Sequence, residues 1–405
     1  MPRFATIDDL DVRGKRVLLR ADLNIPMEDG RVSDPTRIER LAPTIAELAD
    51  KGARVAILSH FGRPKGEPDP KYSLRVLLPA LEQALGGRHV AFAADCIGPK
   101  AREAIDALKP GNVALLENTR FHPGEEKNDP EFARQMAALG DLYVNDAFSV
   151  SHRDHASIAG IARYLPSAAG RLMQEELEAL GQILENPRRP LAAIVGGAKV
   201  STKLDLLSHL LAKVDLLVIG GAMANTLLAA RGLDIGTSLF EHDMLDIARA
   251  ILAEAQAKGS HLMLPVDVVV AAESKTGAAS KTVPVERVPH DMMILDIGRE
   301  SVAAIGGQLR ECRTLVWNGP VGAFETKPFD AGTVALAREA AKRTKGGNLV
   351  SVAGGGDTVA ALAHAGVVED FTYVSTAGGA FLEWLEGREL PGVKALESAQ
   401  PRKNR

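Results

Sequence analysis

Cysteine is almost missing from this chain: Cys96 and Cys312 are the only two in 405 residues. So few thiols form no disulfide framework, fit a reducing compartment, and are most simply read as small core residues. No apolar run is long enough to span a bilayer, and the opening Met-Pro-Arg-Phe-Ala-Thr lacks the charged-then-apolar pattern of an export signal. A cytoplasmic address is therefore expected. An excess of one charge is lacking too. Lys and Arg number 48 against 52 Asp and Glu, a net charge of −4, so neither nucleic acid nor a membrane is an expected partner. Any anion site must be a local cluster of basic residues. Several catalytic signatures are also absent: no Gly-x-x-x-x-Gly-Lys-Ser/Thr P-loop, no Gly-x-Ser-x-Gly elbow, no His-Glu-x-x-His metal pair, and no Gly-x-Gly-x-x-Gly after the first strand of either half. The last absence weakens a nicotinamide-dependent dehydrogenase.

What is present is an ordinary globular composition, 46% hydrophobic and 25% charged, on a chain longer than one core usually organises. Short runs rich in Val, Ile and Leu alternate with longer amphipathic segments. They fall at 17–23, 54–59, 113–117 and 142–145, then at 191–195, 216–219, 262–270, 314–317, 349–352 and 372–374. Alternation of this kind predicts βαβ units, hence an α/β protein with two doubly wound, parallel-sheet, Rossmann-like domains. Pro166, Ser167 and Gly170 interrupt the pattern before a helical stretch at 172–184, which places the division in 162–170 and the domains at 1–168 and 169–386. The end, 387–405, contains Gly387, Pro391, Gly392 and a polar run at 401–405, and taken alone reads as a solvated tail.

In open α/β sheets ligands bind beyond the carboxyl ends of the strands, so the residues just after each apolar run carry the functional information. In the first half these are Asp22 and Asn24, His60-Phe-Gly-Arg-Pro64, Glu117-Asn-Thr-Arg-Phe-His122 and Ser151-His-Arg-Asp-His155, with Arg37 beyond Asp34-Pro35. Arg37, Arg63, Arg120, Arg153 and His60 thus gather at one sheet edge. Arginine's fork matches carboxylate and phosphate oxygens, so the expected ligand is small and carries more than one anionic group. The second half has glycines at its strand ends instead: Gly196-Gly-Ala-Lys199, Gly220-Gly221, Trp317-Asn-Gly-Pro-Val-Gly-Ala-Phe-Glu325, Gly354-Gly-Gly-Asp-Thr358 and Gly378-Gly379. Bare amides and a helix N-terminus after Gly356 suit phosphates, small residues leave room for a base, and Asp357 can hold a cation. Lys199 and Lys203, four apart, are expected on one face of a helix after Gly197.

These segments, in order and across both halves, resemble the bacterial phosphoglycerate kinases over nearly the whole chain: Arg20-Ala-Asp-Leu-Asn24, Ser59-His-Phe-Gly-Arg-Pro64, Leu116-Glu-Asn-Thr-Arg-Phe121, Gly196-Gly-Ala-Lys-Val200, Asp296-Ile-Gly298, Trp317 to Glu325, Gly354 to Thr358 and Ser375-Thr-Ala-Gly-Gly-Ala380. The resemblance implies a cytoplasmic, monomeric, glycolytic kinase. It would move a phosphoryl group reversibly between ATP and the carboxylate of 3-phosphoglycerate, giving 1,3-bisphosphoglycerate and ADP, with Mg2+. Asp22, Leu23, Asn24, Arg37, His60, Phe61, Gly62, Arg63, Arg120 and Arg153 would form the phosphoglycerate site. Lys203, Gly221, Asn318, Glu325, Gly354, Gly355, Gly356, Asp357 and Thr358 would form the nucleotide site, with Glu325 on the ribose and Asp357 on the metal. Arg37 and Lys199 would stabilise the phosphoryl group in flight. The resemblance also implies domains facing each other across a cleft that closes for transfer, and a segment 387–405 that returns to the first domain. Three places depart from the common pattern: Ile294 and Ala377, where relatives carry glycine, and Arg299-Glu300-Ser301 in place of Pro-Lys-Thr. The first and last are expected near the adenine pocket. A carboxylate acceptor needs no general base, so the missing catalytic dyad agrees with positioning and charge stabilisation. A non-catalytic ligand-binding protein would account for the arginines but gives no use for Lys199, Glu325 or Asp357.

Overall fold

The computed structural model describes residues 4–184 and 186–399. By its internal contacts the chain divides into two compact units, one running to Glu178 and taking in the segment from Glu389, the other Ala179–Arg388. The strands of the first unit are β1 (Arg16–Arg20), β2 (Met27–Glu28), β3 (Arg31–Val32), β4 (Arg54–Leu58), β5 (Val90–Ala93), β6 (Val113–Leu116), β7 (Leu142–Asn145) and β8 (Ser167–Ala169). Those of the second are β9 (Leu191–Val195), β10 (Leu216–Ile219), β11 (His261–Met263), β12 (Asp267–Ala271), β13 (Ser280–Pro284), β14 (Met293–Ile297), β15 (Thr314–Asn318), β16 (Val350–Gly354) and β17 (Tyr373–Ser375).

Each unit is built on a six-stranded sheet, ordered β5-β6-β4-β1-β7-β8 in the first and β11-β10-β9-β15-β16-β17 in the second. Every pairing in both sheets is parallel. Parallel strands must be covered on both faces, which is why their sequences are continuous apolar runs instead of alternating ones. On one face of the first sheet Val17 and Leu19 pack with Leu41, Ile45 and Leu48 of the helix Thr36–Asp50. On the other, Leu18 and Tyr143 pack with Phe132 and Met136 of the helix Pro130–Ala137. In the second unit Ile194, Leu315 and Trp317 meet Ile305 and Leu309 of Arg299–Glu311 and Leu336 and Ala340 of Ala331–Lys345.

The strand order reverses between β1 and β7 in the first sheet and between β9 and β15 in the second. At such a switch point the following loops part to opposite faces and leave a crevice at the carboxyl edge. The loops flanking the two crevices are therefore those beginning at Ala21 and Asp146, and at Gly196 and Gly319.

Strands β2, β3, β5, β13 and β14 lie outside the expected apolar runs, and the structure departs from the sequence-based expectation in three further places. The run at 262–270 is two strands, β11 and β12, and Pro265 lies between them; β12 joins a separate antiparallel sheet ordered β13-β12-β14. The interruption at 162–170 is occupied by β8, which is placed by pairing with β7 on one side and by a bridge from Ala169 to Thr6 on the other. The segment read as a solvated tail forms the helix Pro391–Ser398 within the first unit. Leu396 there is fully buried, Val393 nearly so, and Gly392 N–H donates to the Ser151 carbonyl at 2.9 Å. The polar run at 401–405 lies outside the described residues.

Because Leu396 is a core side chain, Leu396→Ala should destabilise the first unit by about 2–4 kcal/mol. Urea denaturation with a probe in that unit checks this; a midpoint unchanged from wild type would show that the C-terminal helix contributes nothing to the unit's core.

Candidate active site

At the end of β1 the backbone leaves the sheet and is tied down at once. Ser59 Oγ donates to the Ala21 carbonyl at 2.8 Å and accepts from Leu23 N–H at 3.0 Å, which joins the ends of β1 and β4. Asp22 accepts from Arg37 Nη1 at 2.7 Å and from Ser149 Oγ at 2.5 Å. Arg37 also donates to the Asn24 carbonyl at 2.9 Å, and Asn24 Oδ1 accepts from Gly62 N–H at 2.9 Å. Asn118, after β6, donates from Nδ2 to the Phe61 and Tyr72 carbonyls at 2.7 and 2.9 Å, while its Oδ1 accepts from Arg120 N–H at 3.0 Å. Arg120 Nη1 reaches the Gly62 carbonyl at 2.8 Å. Loops from four strands thus hold one another in place.

The charges they carry are crowded. His60 and Arg120 are buried, Arg153 is half-buried, and Arg37 and Arg63 reach solvent. Burial holds His60 well below the ordinary imidazole range, and the positive charges of Arg20, Arg120 and Arg153 push it further. Burial, then the neighbouring Arg153, lowers Arg120 to about 10. Arg153 is lowered by burial against the attraction of Asp22, and the charges of Arg20 and Arg63 act in the same direction as burial. An arrangement in which cations disfavour one another is one that an anionic ligand relieves.

In the second unit the glycine loops interlock. Gly196 N–H donates to the Asn318 carbonyl at 2.9 Å, and a Cβ on either Gly196 or Gly319 would run into the other loop's backbone. Gly355 takes a φ of +97° to start the helix Gly356–Ala365, a conformation that favours glycine. Asn318 Nδ2 donates to the Gly354 carbonyl at 2.7 Å and Gly319 N–H to Thr358 Oγ1 at 2.7 Å. Lys203 clips the same loops: its ammonium donates to the Gly196 carbonyl at 2.6 Å and to Asn318 Oδ1 at 2.7 Å. Burial lowers Lys203 to about 8, opposed by the carboxylate of Asp357. Asp357 itself is exposed in the first turn of its helix.

Beside these loops lies a cavity of about 370 Å³, a volume in the range of small-molecule pockets. Gly197, Ala198, Gly221, Ala222 and Val321 give it small or apolar walls, and Glu325 and Asp357 supply carboxylates. Ile294 is in the lining, whereas Arg299-Glu300-Ser301 is not. Ser301 instead fastens its helix to β12 through Oγ contacts with Asp267. Asp296, also in the wall, is pushed up to about 7 by burial despite accepting from Gly332 and Ile297 N–H. Ala377 is buried, and it is not among the residues with positive φ, so no glycine is required there.

One expectation is corrected. Lys199 and Lys203 do not share a helix face, because the helix begins only at Leu204 and residues 196–203 are loop and turn. Gly197, at a φ of +131°, breaks the regular path. Lys199 is exposed; nearby, Glu241 is raised by burial but held below its ordinary value by hydrogen bonds from the Ser201 hydroxyl and from Ser201 N–H at 3.0 Å, with a smaller contribution from the charge of Lys199. Arg20, which opens the Arg20-Ala-Asp-Leu-Asn24 segment, is brought by the structure into the same cluster, although motif reading does not single it out. It is buried, with Nη2 3.2 Å from His60 Nδ1. Its position as the last residue of a strand was the available signal.

One crevice carries arginines and the other glycine amides, groups that suit phosphate oxygens, and the class to which this points is the phosphotransferases. A family model described as phosphoglycerate kinase matches residues 7–388. The chain is 64% identical over 399 residues to the phosphoglycerate kinase of Methylorubrum extorquens strain PA1, covering 98% of this chain and 100% of that one. It is 64% identical over 393 residues to that of Rhodospirillum centenum, covering 97% and 99%. The solved structure of the Coxiella burnetii phosphoglycerate kinase superposes with a TM-score of 0.92 at 42% identity, over 98% of this chain and 100% of that one. The Pyrococcus horikoshii enzyme gives 0.80 at 33% identity, over 98% and 99%. The chain belongs to the phosphoglycerate kinase family.

A partly buried, neutral histidine has a consequence for stability. Burial, aided by Arg120, Arg153 and Arg20, pushes His155 down to about 4, against 6.5 for a free imidazole. Between these values the unfolded chain binds a proton that the folded one does not, so stability is lost as pH falls through that window. The denaturation midpoint should drop between pH 7 and pH 5, and by less in His155→Gln. Equal drops in the two proteins would contradict burial of a neutral ring.

Proposed function

We propose that the first unit's crevice binds 3-phosphoglycerate and the second unit's loops bind ATP or ADP. On this reading the protein transfers the γ-phosphoryl group of ATP to the carboxylate of 3-phosphoglycerate, and reverses the reaction. The observation that carries this is the clustering of Arg120, Arg153, Arg20 and neutral His60 at the β1/β7 crevice, with Arg37 and Arg63 at its exposed side. A ligand with a phosphate at one end and a carboxylate at the other answers that distribution of charge.

The chemistry needs little from the protein beyond placement. A carboxylate oxygen forms a bond to the γ-phosphorus as the bond to the β–γ bridging oxygen breaks, and ADP leaves with that electron pair. The nucleophile is already ionised, so no side chain need take a proton. Asp22, Leu23, Asn24, Phe61 and Gly62 shape the acceptor site around the basic side chains. Gly221, Asn318, Gly354, Gly355, Gly356 and Thr358 form the nucleotide cradle, held together by Lys203, and Glu325 is assigned to the ribose hydroxyls. Arg37 and Lys199 supply positive charge where it develops in transfer. Asp357, an exposed carboxylate on the wall of the cavity, has the donor chemistry to hold Mg2+, which when bound neutralises charge on the nucleotide phosphates. Because acceptor and donor are assigned to different units, transfer requires the units to bring them together and to exclude water that would hydrolyse the acyl phosphate.

The same reading makes the protein a cytoplasmic monomer acting on small molecules, with no nucleic-acid or membrane partner. The net charge of −4 speaks against a nucleic-acid or membrane partner, and the two buried, free cysteines fit a reducing compartment. Among the described residues no helix is long and apolar enough to cross a membrane.

A coupled assay with ATP, magnesium and 3-phosphoglycerate, with acetate as control acceptor, tests the activity; no turnover, or equal turnover with acetate, would overturn it. Arg63→Ala should raise the KM for 3-phosphoglycerate more than that for ATP, and equal effects on both would refute the division of ligands. Lys199→Ala should lower kcat about a hundredfold with little change in either KM, since its charge acts on the transition state. Near-normal kcat would remove Lys199 from the mechanism.

A further inference from the structure

Beneath the arginine cluster lies a buried carboxylate that the transfer mechanism does not use. Glu125, in the loop after β6, is fully buried, and so is Ser157, in the segment after β7. Glu125 accepts from Ser157 N–H at 2.9 Å and from the Ser157 hydroxyl. Ser157 Oγ in turn lies 2.9 Å from Arg20 Nε, and Arg20 Nη2 lies 3.2 Å from His60 Nδ1. The third arm of Arg20 is committed to the Ala21 carbonyl. Four side chains from four different strand ends therefore form one connected chain, none more than 2% exposed.

The chain has a direction. With its hydrogen given to Glu125, Ser157 Oγ is left to accept, and Arg20 Nε–H is the donor it meets. A guanidinium has five donors and no acceptor, so Arg20 Nη2 must donate to His60, and Nδ1 must be the ring's acceptor. A neutral imidazole whose Nδ1 accepts carries its proton on Nε2. The doubly protonated ring is opposed by Arg20, Arg120 and Arg153 around it, while Glu125, 4.0 Å from His155 Nδ1, offsets part of that field. Without Glu125 the guanidinium would be a buried charge with no counter-charge in its chain.

We propose that Glu125 and Ser157 are positioning residues of the acceptor site: through Arg20 they hold His60 as the Nε2–H tautomer, so that the ring offers one fixed hydrogen-bond donor to an anionic ligand. The proposal rests on the reading that this cluster binds 3-phosphoglycerate. It assigns the buried pair a role in ligand affinity in addition to packing.

Long-range 15N NMR of the His60 ring in the wild-type enzyme at neutral pH should show the Nε2–H tautomer alone. Ser157→Ala should give mixed tautomers and about a tenfold higher KM for 3-phosphoglycerate, the scale of one charge-assisted hydrogen bond, with the KM for ATP unchanged. Ser157→Thr, which keeps the hydroxyl, should restore both the tautomer and the KM. An Nδ1–H ring or an imidazolium in the wild type would overturn the proposal, as would a Ser157→Ala enzyme whose His60 signals and KM match wild type. The wild-type spectrum needs neither substrate nor a variant that folds, so it decides the tautomer separately from the turnover assay that decides the function.

Discussion

A parallel sheet has no face to spare for solvent. Its crossover helices must cover both sides, so the only places where backbone groups and side chains of several strands can meet a ligand are the strand ends, and they open widest where the strand order reverses. In both units that constraint governs the rest. The apolar runs pay for the scaffold and terminate within a residue or two of the chemistry: β1 ends at Arg20 and β4 at Leu58, beside His60, while β15 ends at Asn318 and β16 at Gly354. Side chains at such ends sit on rigid elements, and their loops are tied together by Ser59, Asn118 and Lys203.

The two crevices solve opposite electrostatic problems. In the first, several cations are held close together and partly out of water, an arrangement that is unfavourable by itself and is relieved by an anion. Glu125, Asp22 and Glu126, the last 3.2 Å from Arg120 Nε, neutralise only part of it. In the second, the cavity wall carries the carboxyl groups of Asp296, Glu325 and Asp357 and no arginine. Interlocked glycine loops present backbone close to one another, and the half-buried ammonium of Lys203 is engaged by the Gly196 carbonyl and Asn318 Oδ1 of the same loops. Arginines suit a small acceptor whose charges must be matched individually. Bare amides suit a polyphosphate, whose many oxygens any N–H can meet.

Much of the fold was legible because it depends on local pattern. The runs at 54–59, 142–145, 191–195 and 216–219 coincide with strands to within a residue. Where pattern failed, the deciding term was pairing. Strand β8 is three residues of Ser and Ala with no apolar signal, and it exists because β7 offers it an edge. The 262–270 run looked continuous, but its two halves pair in different sheets. The C-terminal helix reads as polar and punctuated, and is held by the contacts of Gly392, Val393 and Leu396 with its unit. Among the site residues, the short motifs marked the strand ends correctly, whereas spacing alone misplaced Lys199 and Lys203 on a helix that starts one residue after the second of them.

The residue types and their order along the chain determined the α/β class, the phosphate chemistry and the family, because these follow from local periodicity and from motifs a few residues long. Which atoms meet was decided only by the tertiary structure. Glu125 and Ser157 are 32 positions apart, Arg20 and Ser157 137 apart, and Arg20 and His60 40 apart. No local pattern distinguishes Glu125 from the adjacent Glu126; one is fully buried beneath the arginines and the other exposed. That difference comes from sheet order, which brings the ends of β1, β4, β6 and β7 to one edge and turns a scatter of basic residues into a single field.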